Sequence, residues 1–199
     1  MSSTNRSSAR DTHISDYYKT PVQSILDFLM EFFNDNPNLD FIGRENILDP
    51  CAGGKVNPFQ SMSYPEALAK YTTYKPDMVT TLDNRQDSQA QIKQDYLFWE
   101  PEKEYGCIIT NPPFNIALDV IHKSLRIVKD GGLVIMLLRL NFFGSRERKE
   151  FFQNNMPSFS YVHSRRMKFM DTNSTDSIEY MHSVWIKGQK PKFTKLRVI

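Results

Sequence analysis

Residues 107–114, Cys107-Ile108-Ile109-Thr110-Asn111-Pro112-Pro113-Phe114, indicate both the kind of fold and the position of its site. The first four form an apolar run that is typical of a buried parallel strand. The next four therefore lie where that strand ends. In open α/β sheets, ligands bind at the carboxyl ends of the strands. We expect residues 111–114 to belong to a functional site.

These four residues combine acceptors, a rigid corner and an aromatic ring. Two consecutive prolines fix φ and remove two backbone donors, so the local carbonyls remain outward-facing acceptors, and the first proline holds Asn111 in an extended conformation. The Asn111 side chain adds a carbonyl oxygen, and Phe114 adds a flat apolar face. Such a group fits a planar partner that carries an NH2. Taken alone, the tetrapeptide is also compatible with a proline-stabilised turn after a strand.

The chemistry that needs such a receptor is methylation of an amine. An exocyclic amine on a base is a poor nucleophile because its lone pair is delocalised into the ring. Acceptors for both N–H groups favour a pyramidal nitrogen, whose lone pair can attack a methyl sulfonium. The methylated nitrogen then becomes acidic and loses its proton to water, so no general base is required.

The remaining sequence alternates helix and strand patterns. A helix is predicted after Thr20-Pro21, with Thr20 as N-cap and Pro21 at the first helical position, and residues 84–94 are predicted to form a short helix. Alternating elements indicate an α/β fold with a parallel sheet and helices on both faces. Further helices are predicted at 64–71, 116–128 and 146–155, and strands at 46–49, 78–82, 105–110, 132–138, 159–163 and 182–187.

Acidic residues follow successive predicted strands. Asp49 begins the turn Asp49-Pro50-Cys51-Ala52-Gly53-Gly54, whose small residues let backbone approach a ligand closely. Asp83 occupies the position where an acidic residue binds ribose hydroxyls in dinucleotide folds, and Asp95 has the spacing of a third such acid. Each has a local alternative as a turn former or helix cap, but their order indicates a nucleotide site. A Gly-x-Gly-x-x-Gly turn is absent, which disfavours an NAD-dependent dehydrogenase.

From about Tyr17 to Lys187, this order of motifs resembles the S-adenosylmethionine-dependent amino-methyltransferases with an Asn/Asp-Pro-Pro-Tyr/Phe signature, above all the phage-type DNA N6-adenine methyltransferases. The resemblance implies a Rossmann-like class I fold, with a mostly parallel seven-stranded sheet flanked by helices. It implies one methyltransferase domain over residues 16–199, after a flexible tail at 1–15. The implied activity is methylation of the N6 amine of adenine in DNA, which requires a flipped base or a single strand.

The resemblance also implies a role for each matched position. The segment Tyr18-Lys19-Thr20-Pro21 would help to hold the methionine end of the cofactor, and Asp49 would meet the methionine amino group. Asp83 would bind the ribose and Asp95 the adenine amino group. The implied cofactor-binding residues are Tyr18, Thr20, Pro21, Asp49, Pro50, Cys51, Ala52, Gly53, Asp83, Asp95 and Asn111.

The implied catalytic residues are Asn111, Pro112, Pro113 and Phe114. Asn111 and the Pro112 carbonyl would hold the target N6, and Phe114 would stack on the flipped base. One departure concerns Lys55, where many relatives carry a further glycine. Whether Lys55 reaches the methionine carboxylate or only places a cation near the sulfonium stays open.

Charge is unevenly distributed along the chain. Residues 1–138 hold 13 Lys and Arg against 18 Asp and Glu, whereas residues 139–199 hold 12 against 5. This asymmetry points to a polyanion bound by the C-terminal part, because phosphate contacts dominate nucleic-acid affinity. The expected partner is DNA, with RNA as a second possibility. Predicted nucleic-acid-binding residues are Arg146, Arg148, Lys149, Arg165, Arg166 and Lys168.

Other functions are also compatible with the sequence. The Asn-Pro-Pro-Phe loop also suits a methyltransferase for an RNA base or a protein glutamine, and an inactive module that only binds S-adenosylmethionine or DNA is a further alternative. Composition is that of a soluble globular protein, with 40% hydrophobic and 24% charged residues. Two cysteines, with no secretory signal or membrane-length apolar stretch, indicate the cytoplasm, of a host cell if phage-encoded. No metal site is predicted, and monomer and homodimer are both open.

Overall fold

The described strands form one seven-stranded sheet with the order β2-β1-β3-β4-β6-β5-β7. A computed structural model describes residues 18–39, 45–71, 78–169 and 177–199. Among the described strands, only β6 runs against the others, so the prediction of a mostly parallel sheet is confirmed. The predicted tail at 1–15 lies outside the described residues. The strands are β1 Ile47–Asp49, β2 Val79–Thr81, β3 Tyr105–Thr110, β4 Val128–Arg139, β5 Phe159–Val162, β6 Tyr180–Ile186 and β7 Lys195–Val198.

Helices cover both faces of this sheet because alternate strand residues point to opposite sides. Ile47 and Ile109 face one core together with α1 and α2, whereas Leu48 and Ile108 face a second core with α3 and α4. No helix within the described ranges is long and apolar enough to span a bilayer. The helices are α1 Val22–Asp35, α2 Ser63–Tyr71, α3 Ala117–Ile127 and α4 Lys149–Asn154, with 3-10 turns at Pro37–Leu39 and Leu140–Gly144.

The predicted start of α1 is wrong by one position. Pro21, not Thr20, is the N-cap, and its carbonyl accepts hydrogen bonds from the amides of Ser24 and Ile25. The Thr20 hydroxyl makes no cap bond and instead accepts a 3.0 Å hydrogen bond from the side-chain amide of Asn111. The start of α1 is thus tied to the loop after β3.

Two further segments differ from the prediction. Residues 84–94 form turns and no helix, because side chains take the backbone donors that a helix would use. Asp83 accepts from the Arg85 amide at 2.8 Å, and Ser88 accepts from the Ala90 amide at 2.9 Å. Strand β7 was not predicted, because all four of its residues are exposed and show no alternation of burial.

A buried polar chain fastens α1 and α2 to the sheet. The Tyr64 hydroxyl lies 3.1 Å from Nε2 of His182, whose Nδ1 lies 2.8 Å from Nε2 of His163. Phe28 of α1 stacks on His182 with ring centroids 4.3 Å apart. Burial lowers the pKa of His163 to about 4 and that of His182 well below its usual value. Both imidazoles are therefore neutral in the folded protein at neutral pH.

Candidate active site

The predicted site residues converge at the carboxyl edge of the sheet. Asp49 ends β1, Thr110 ends β3, and these strands are parallel neighbours. Asp83 follows β2, which pairs with the other side of β1. The parallel direction of the three strands brings their last residues to one edge, as residues 107–114 predicted.

Asn111 is oriented by its amide nitrogen. Its Nδ2 donates to the Thr20 hydroxyl at 3.0 Å and to the Tyr18 carbonyl at 3.4 Å. Its Oδ1 consequently points away from these partners, is buried, and receives no hydrogen bond from any described residue. A buried acceptor without a donor is uncommon in folded proteins and needs an explanation.

The backbone of the same loop supplies a second open acceptor. The Pro113 carbonyl accepts from the Ile116 amide at 3.1 Å and so closes the turn into α3. The Pro112 carbonyl receives no hydrogen bond from the described part of the chain. Neither proline has an N–H, so the loop offers oxygens without competing donors. Asn111 and Pro112 therefore present two neighbouring acceptors.

Phe114 lies in an aromatic cluster beside these acceptors. Its ring centroid is 6.4 Å from that of Tyr18, in a stacked arrangement, and 5.7 Å from that of Tyr180. Phe169 joins the same group through edge contacts with Tyr18 and Tyr180. The guanidinium of Arg139 lies over the Phe114 ring, with its carbon 4.3 Å from the centroid. The Arg139 guanidinium therefore covers one face of the Phe114 ring.

Asp49 is fully buried, and only one of its oxygens is used. Its Oδ1 accepts from the Thr110 hydroxyl at 2.6 Å and from the Cys51 amide at 3.3 Å, whereas Oδ2 has no partner among the described residues. Burial raises the pKa of the Asp49 carboxyl to about 7, although the Thr110 hydrogen bond opposes this shift. A cation bonded to Oδ2 would favour the carboxylate.

The turn after β1 depends on Gly53 and Gly54. Both have positive φ, 67° and 71°, which side chains rarely adopt. A Cβ on Gly54 would also lie 2.9 Å from Cγ of Met62. Asp83 fixes this turn, because its Oδ2 accepts from the Gly53 amide at 2.9 Å. The Nε of Arg85 reaches Oδ1 of Asp83 at 3.2 Å, and its Nη2 donates to the Gly54 carbonyl at 2.8 Å.

Asp95 and Cys51 lie near the carboxylates of Asp49 and Asp83. Asp95 is exposed, and its Oδ1 accepts from the Leu97 amide at 2.9 Å. Desolvation raises the pKa of the Cys51 thiol well above its usual value, and the charges of Asp49, Asp83 and Asp95 raise it further. Burial and these three carboxylates together keep the Cys51 thiol protonated at neutral pH. No group of three or more His, Cys, Asp or Glu in the described ranges is arranged to hold a metal ion.

The segment before α1 is held from two sides. Lys19 is buried, and its ammonium donates to the Ser61 hydroxyl at 3.1 Å, while Thr20 and the Tyr18 carbonyl contact Asn111. The predicted Tyr18–Pro21 segment thus lies at the site. Lys55 pairs through its backbone with Gln60, and its amide donates to the Gln60 carbonyl at 2.9 Å.

The predicted basic residues follow β4 and β5, which end at the same edge as β1 and β3. Arg146, Lys149, Arg165, Arg166 and Lys168 are exposed. Arg166 lies 3.7 Å from Glu179, an exposed pair that contributes little to stability. Arg148 differs from the others, because it is half-buried and its Nε donates to the Phe142 carbonyl at 2.7 Å.

Several residues at the site were not predicted from the sequence. Thr110 orients Asp49, Arg85 braces Asp83, and the Ser88 hydroxyl donates to the Gly53 carbonyl at 2.8 Å. Thr110 immediately precedes Asn111 at a predicted strand end, and this position could have indicated that Thr110 belongs to the site. No role was predicted for Tyr180 or Arg139, because it is the register of β4 with β6 that brings them together.

Comparison with solved structures identifies the fold. A Listeria monocytogenes protein assigned to the class I S-adenosylmethionine-dependent methyltransferases has a TM-score of 0.56 and 15% identity, over 90% of this chain and 65% of its own. This chain therefore spans about two thirds of that protein's length. A Pyrococcus horikoshii protein assigned as an RNA methyltransferase has a TM-score of 0.57 and 12% identity, over 86% of this chain and 88% of its own.

A third similar structure is an S-adenosylmethionine-dependent O-methyltransferase of Thermotoga maritima. Its TM-score is 0.52 at 12% identity, over 84% of this chain and 67% of its own. No protein-family model and no curated protein matches the sequence. The chain thus has the Rossmann-like fold of class I methyltransferases, as predicted. At these identities the similarity establishes the fold, and the activity depends on the site.

Proposed function

We propose that the protein is an S-adenosylmethionine-dependent methyltransferase that acts on the exocyclic N6 amine of adenine in DNA. The observation that carries this proposal is the pair of open acceptors, Asn111 Oδ1 and the Pro112 carbonyl, beside the Phe114 ring. An NH2 group on a planar ring has two donors and a flat face, so it can satisfy both oxygens and stack on the ring.

The two acceptors favour the reaction through the target nitrogen. Hydrogen bonds from both N–H groups draw the amine towards a pyramidal geometry, which concentrates its lone pair for attack. As the N–CH3 bond forms, the S–CH3 bond breaks, and the methylated nitrogen releases one proton to water. Because Nδ2 of Asn111 is held by Thr20 and Tyr18, its Oδ1 does not reorient during this step.

The three carboxylates of Asp49, Asp83 and Asp95 and the glycine turn beside them fit the proposed cofactor. Bound S-adenosylmethionine supplies an electrophilic methyl group on a sulfonium. The unpartnered Oδ2 of Asp49 suits the ammonium of its methionine moiety, and the turn at Gly53 and Gly54 leaves no Cβ against a ligand. Oδ2 of Asp83 keeps one acceptor site for a ribose hydroxyl beside its bond to Gly53. Asp95 is exposed and free to meet an adenine amino group.

Nucleic acid is the substrate class that the charge distribution favours. The exposed cations after β4 and β5 lie at the carboxyl edge that also carries Asn111, where they can bind phosphates on either side of a flipped base. The aromatic cluster would replace the stacking that the base loses, worth roughly 1–3 kcal/mol per base. A neutral glutamine peptide would make no use of these cations.

The decisive experiment identifies the methylated product. The protein is incubated with methyl-labelled S-adenosylmethionine and separate pools of DNA, RNA and protein, and the labelled residue is identified after hydrolysis. We expect N6-methyladenine from the DNA pool. Label in another base, or in glutamine only, would refute adenine N6 as the methyl acceptor and identify the acceptor that takes its place. No label in any pool, with the cofactor bound, would leave only the alternative of an inactive binding module.

The role of Asn111 can be tested with a matched control. Asn111→Ala removes the side-chain acceptor and should abolish methyl transfer, while the dissociation constant for the cofactor changes little. Asn115→Ala makes the same substitution at an exposed position of the same loop and should retain activity. Equal loss of transfer and of cofactor binding in Asn111→Ala would refute the assigned role.

Methylation of an RNA base is the second candidate. The Pyrococcus horikoshii neighbour is assigned as an RNA methyltransferase, and the same acceptors and cations suit a single-stranded RNA base. Competition between DNA and RNA oligonucleotides of one sequence distinguishes the two. Binding that weakens steeply with added salt would support either nucleic acid over a peptide.

A further inference from the structure

Arg139 occupies the surface on which a target base is expected to stack. It is the last residue of β4 and lies directly opposite Tyr180 of β6. Its guanidinium carbon is 4.3 Å from the centroid of the Phe114 ring. A guanidinium is planar and covers an aromatic face much as a base does. One face of Phe114 cannot carry both groups at the same time.

The polar atoms of Arg139 indicate that few interactions hold the guanidinium over Phe114. Its Nε is buried and donates to no described residue, and Arg139 makes no ion pair within the described ranges. Arg148 provides a contrast, because its guanidinium lies over Phe142 at the same 4.3 Å distance while its Nε donates to the Phe142 carbonyl. The Nε of Arg148 thus has a backbone acceptor, whereas the Nε of Arg139 has none among the described residues.

We propose that the Arg139 guanidinium holds the place of the target base in the free protein and moves to a phosphate of the same nucleotide when the base enters. This inference rests on the proposed function and deepens it. The guanidinium gives up no hydrogen bond of its buried Nε to a described residue when a base replaces it on the Phe114 ring. The displaced guanidinium gains charge-assisted, bidentate hydrogen bonds to the phosphate, which Nε and Nη form together. Arg139 would thereby select a nucleotide over an uncharged amide.

The test compares a ligand with phosphates to one without. The ligands are adenosine and a single-stranded DNA oligonucleotide with one adenine, with S-adenosylhomocysteine saturating the cofactor site so that adenosine reports on the target site. In Arg139→Ala we expect adenosine affinity to rise roughly two- to fivefold, because its competitor for Phe114 is gone. Oligonucleotide affinity should fall, with a log–log salt slope smaller by about 0.7, as for one lost contact to a single strand.

Two further variants control for charge and folding. Arg126→Ala removes the same charge from the end of α3, at the opposite edge of the sheet, and should change neither adenosine affinity nor the salt slope at the target site. Arg139→Lys keeps a cation but no planar guanidinium, so it should raise adenosine affinity less than Arg139→Ala does, because an ammonium can still lie over the ring, while it retains most of the oligonucleotide affinity. Arg139→Lys also serves if Arg139→Ala does not fold.

The outcomes separate this inference from the proposed function. If the natural protein methylates the oligonucleotide but Arg139→Ala and Arg139→Lys bind adenosine no better, the place-holding role is overturned. An unchanged salt slope in Arg139→Ala overturns the phosphate contact. If the natural protein neither binds nor methylates the oligonucleotide, the proposed function falls, and this inference falls with it.

Discussion

Asp49 and Asp83 follow neighbouring parallel strands and are both buried, but the protein satisfies them to different degrees. Asp83 accepts hydrogen bonds on both oxygens, from the Gly53 amide and from the amide and Nε of Arg85. Asp49 uses Oδ1 only, and its Oδ2 has no partner among the described residues. The difference separates a carboxylate that also holds the turn in place from one with a whole oxygen open to a ligand. Five predictions test this division, starting with the largest effect.

Asp83→Ala should destabilise the fold. The substitution removes the acceptor of the Gly53 amide and leaves Arg85, whose side chain is 11% exposed, without its buried partner. Breaking a buried pair in this way costs about 3–5 kcal/mol in the free energy of unfolding, which urea denaturation measures. Asp87 also pairs with Arg85, but it is 55% exposed. Asp87→Ala should therefore cost at most about 1 kcal/mol, and equal losses would contradict the structural role of Asp83.

Asp49→Asn should act on ligand binding more than on folding. Asparagine keeps an oxygen that can accept from Thr110 and Cys51, but it cannot carry the negative charge that an ammonium needs. A hydrogen bond to a charged group contributes about 1.5–3 kcal/mol, so cofactor affinity should fall roughly 10- to 150-fold. Titration calorimetry measures this loss. Unchanged affinity, together with reduced stability, would make Asp49 a second structural residue and end the distinction from Asp83.

The pH dependence of cofactor binding should follow Asp49. The pKa of its carboxyl is about 7 in the free protein, so below that pH the group is protonated and must lose its proton when an ammonium binds. Affinity should rise with pH through about 7, and proton release should be detected by calorimetry in two buffers of different ionisation enthalpy. The Asp49→Asn variant should release no such proton.

The stability of the free protein should respond in the opposite direction. The folded pKa of Asp49 is raised from its usual 3.8 to about 7. Its contribution to stability is therefore complete below the unfolded value and is lost as pH rises through about 7. The free energy of unfolding of the free natural protein should thus fall as pH rises from about 4 to about 7, with no further change from this group above pH 7, and Asp49→Asn should remove that part of the dependence. A natural protein and variant with superimposable stability–pH curves would contradict the raised pKa.

Thr110→Val should give the smallest effect. The Thr110 hydroxyl donates to Oδ1 of Asp49 at 2.6 Å and favours the carboxylate. Its loss should raise the Asp49 pKa further, move the midpoint of cofactor binding to higher pH, and cost about 1 kcal/mol of stability. Thr81→Val is a matched control at the end of β2 and should leave the midpoint unchanged. A shift of equal size in both variants would show that Thr110 does not act through Asp49.

The sequence predicted those parts of the site that local pattern determines. The apolar run before Asn111 placed the loop at a strand end, and Asp49 was recognised from the turn that follows it. The open Oδ1 of Asn111 depends instead on Thr20, which was interpreted as a helix cap because Thr-Pro commonly begins helices. Local propensity could not show that a tertiary partner takes this hydroxyl.

Features that depend on which strands pair could not be predicted from the sequence patterns. Arg139 faces Phe114 only because β3, β4 and β6 are adjacent, and no periodicity reports that adjacency. The segment 84–94 was wrongly predicted as a helix, because Asp83 and Ser88 bind nearby backbone amides in a turn. Strand β7 was missed because exposure of all its residues removes the alternation by which strands are recognised.

Because β6 runs against its neighbours, the connection from β5 begins and ends at the edge where the acceptor would bind. The groups proposed to seat the methyl donor belong instead to β1, β2 and their turns. The turns proposed to bind the donor and the connection from β5 to β6 thus lie in separate stretches of the polypeptide, and the loop of Asn111 lies between them. This separation would allow the sequence of the connection to change while the turns after β1 and β2 stay the same.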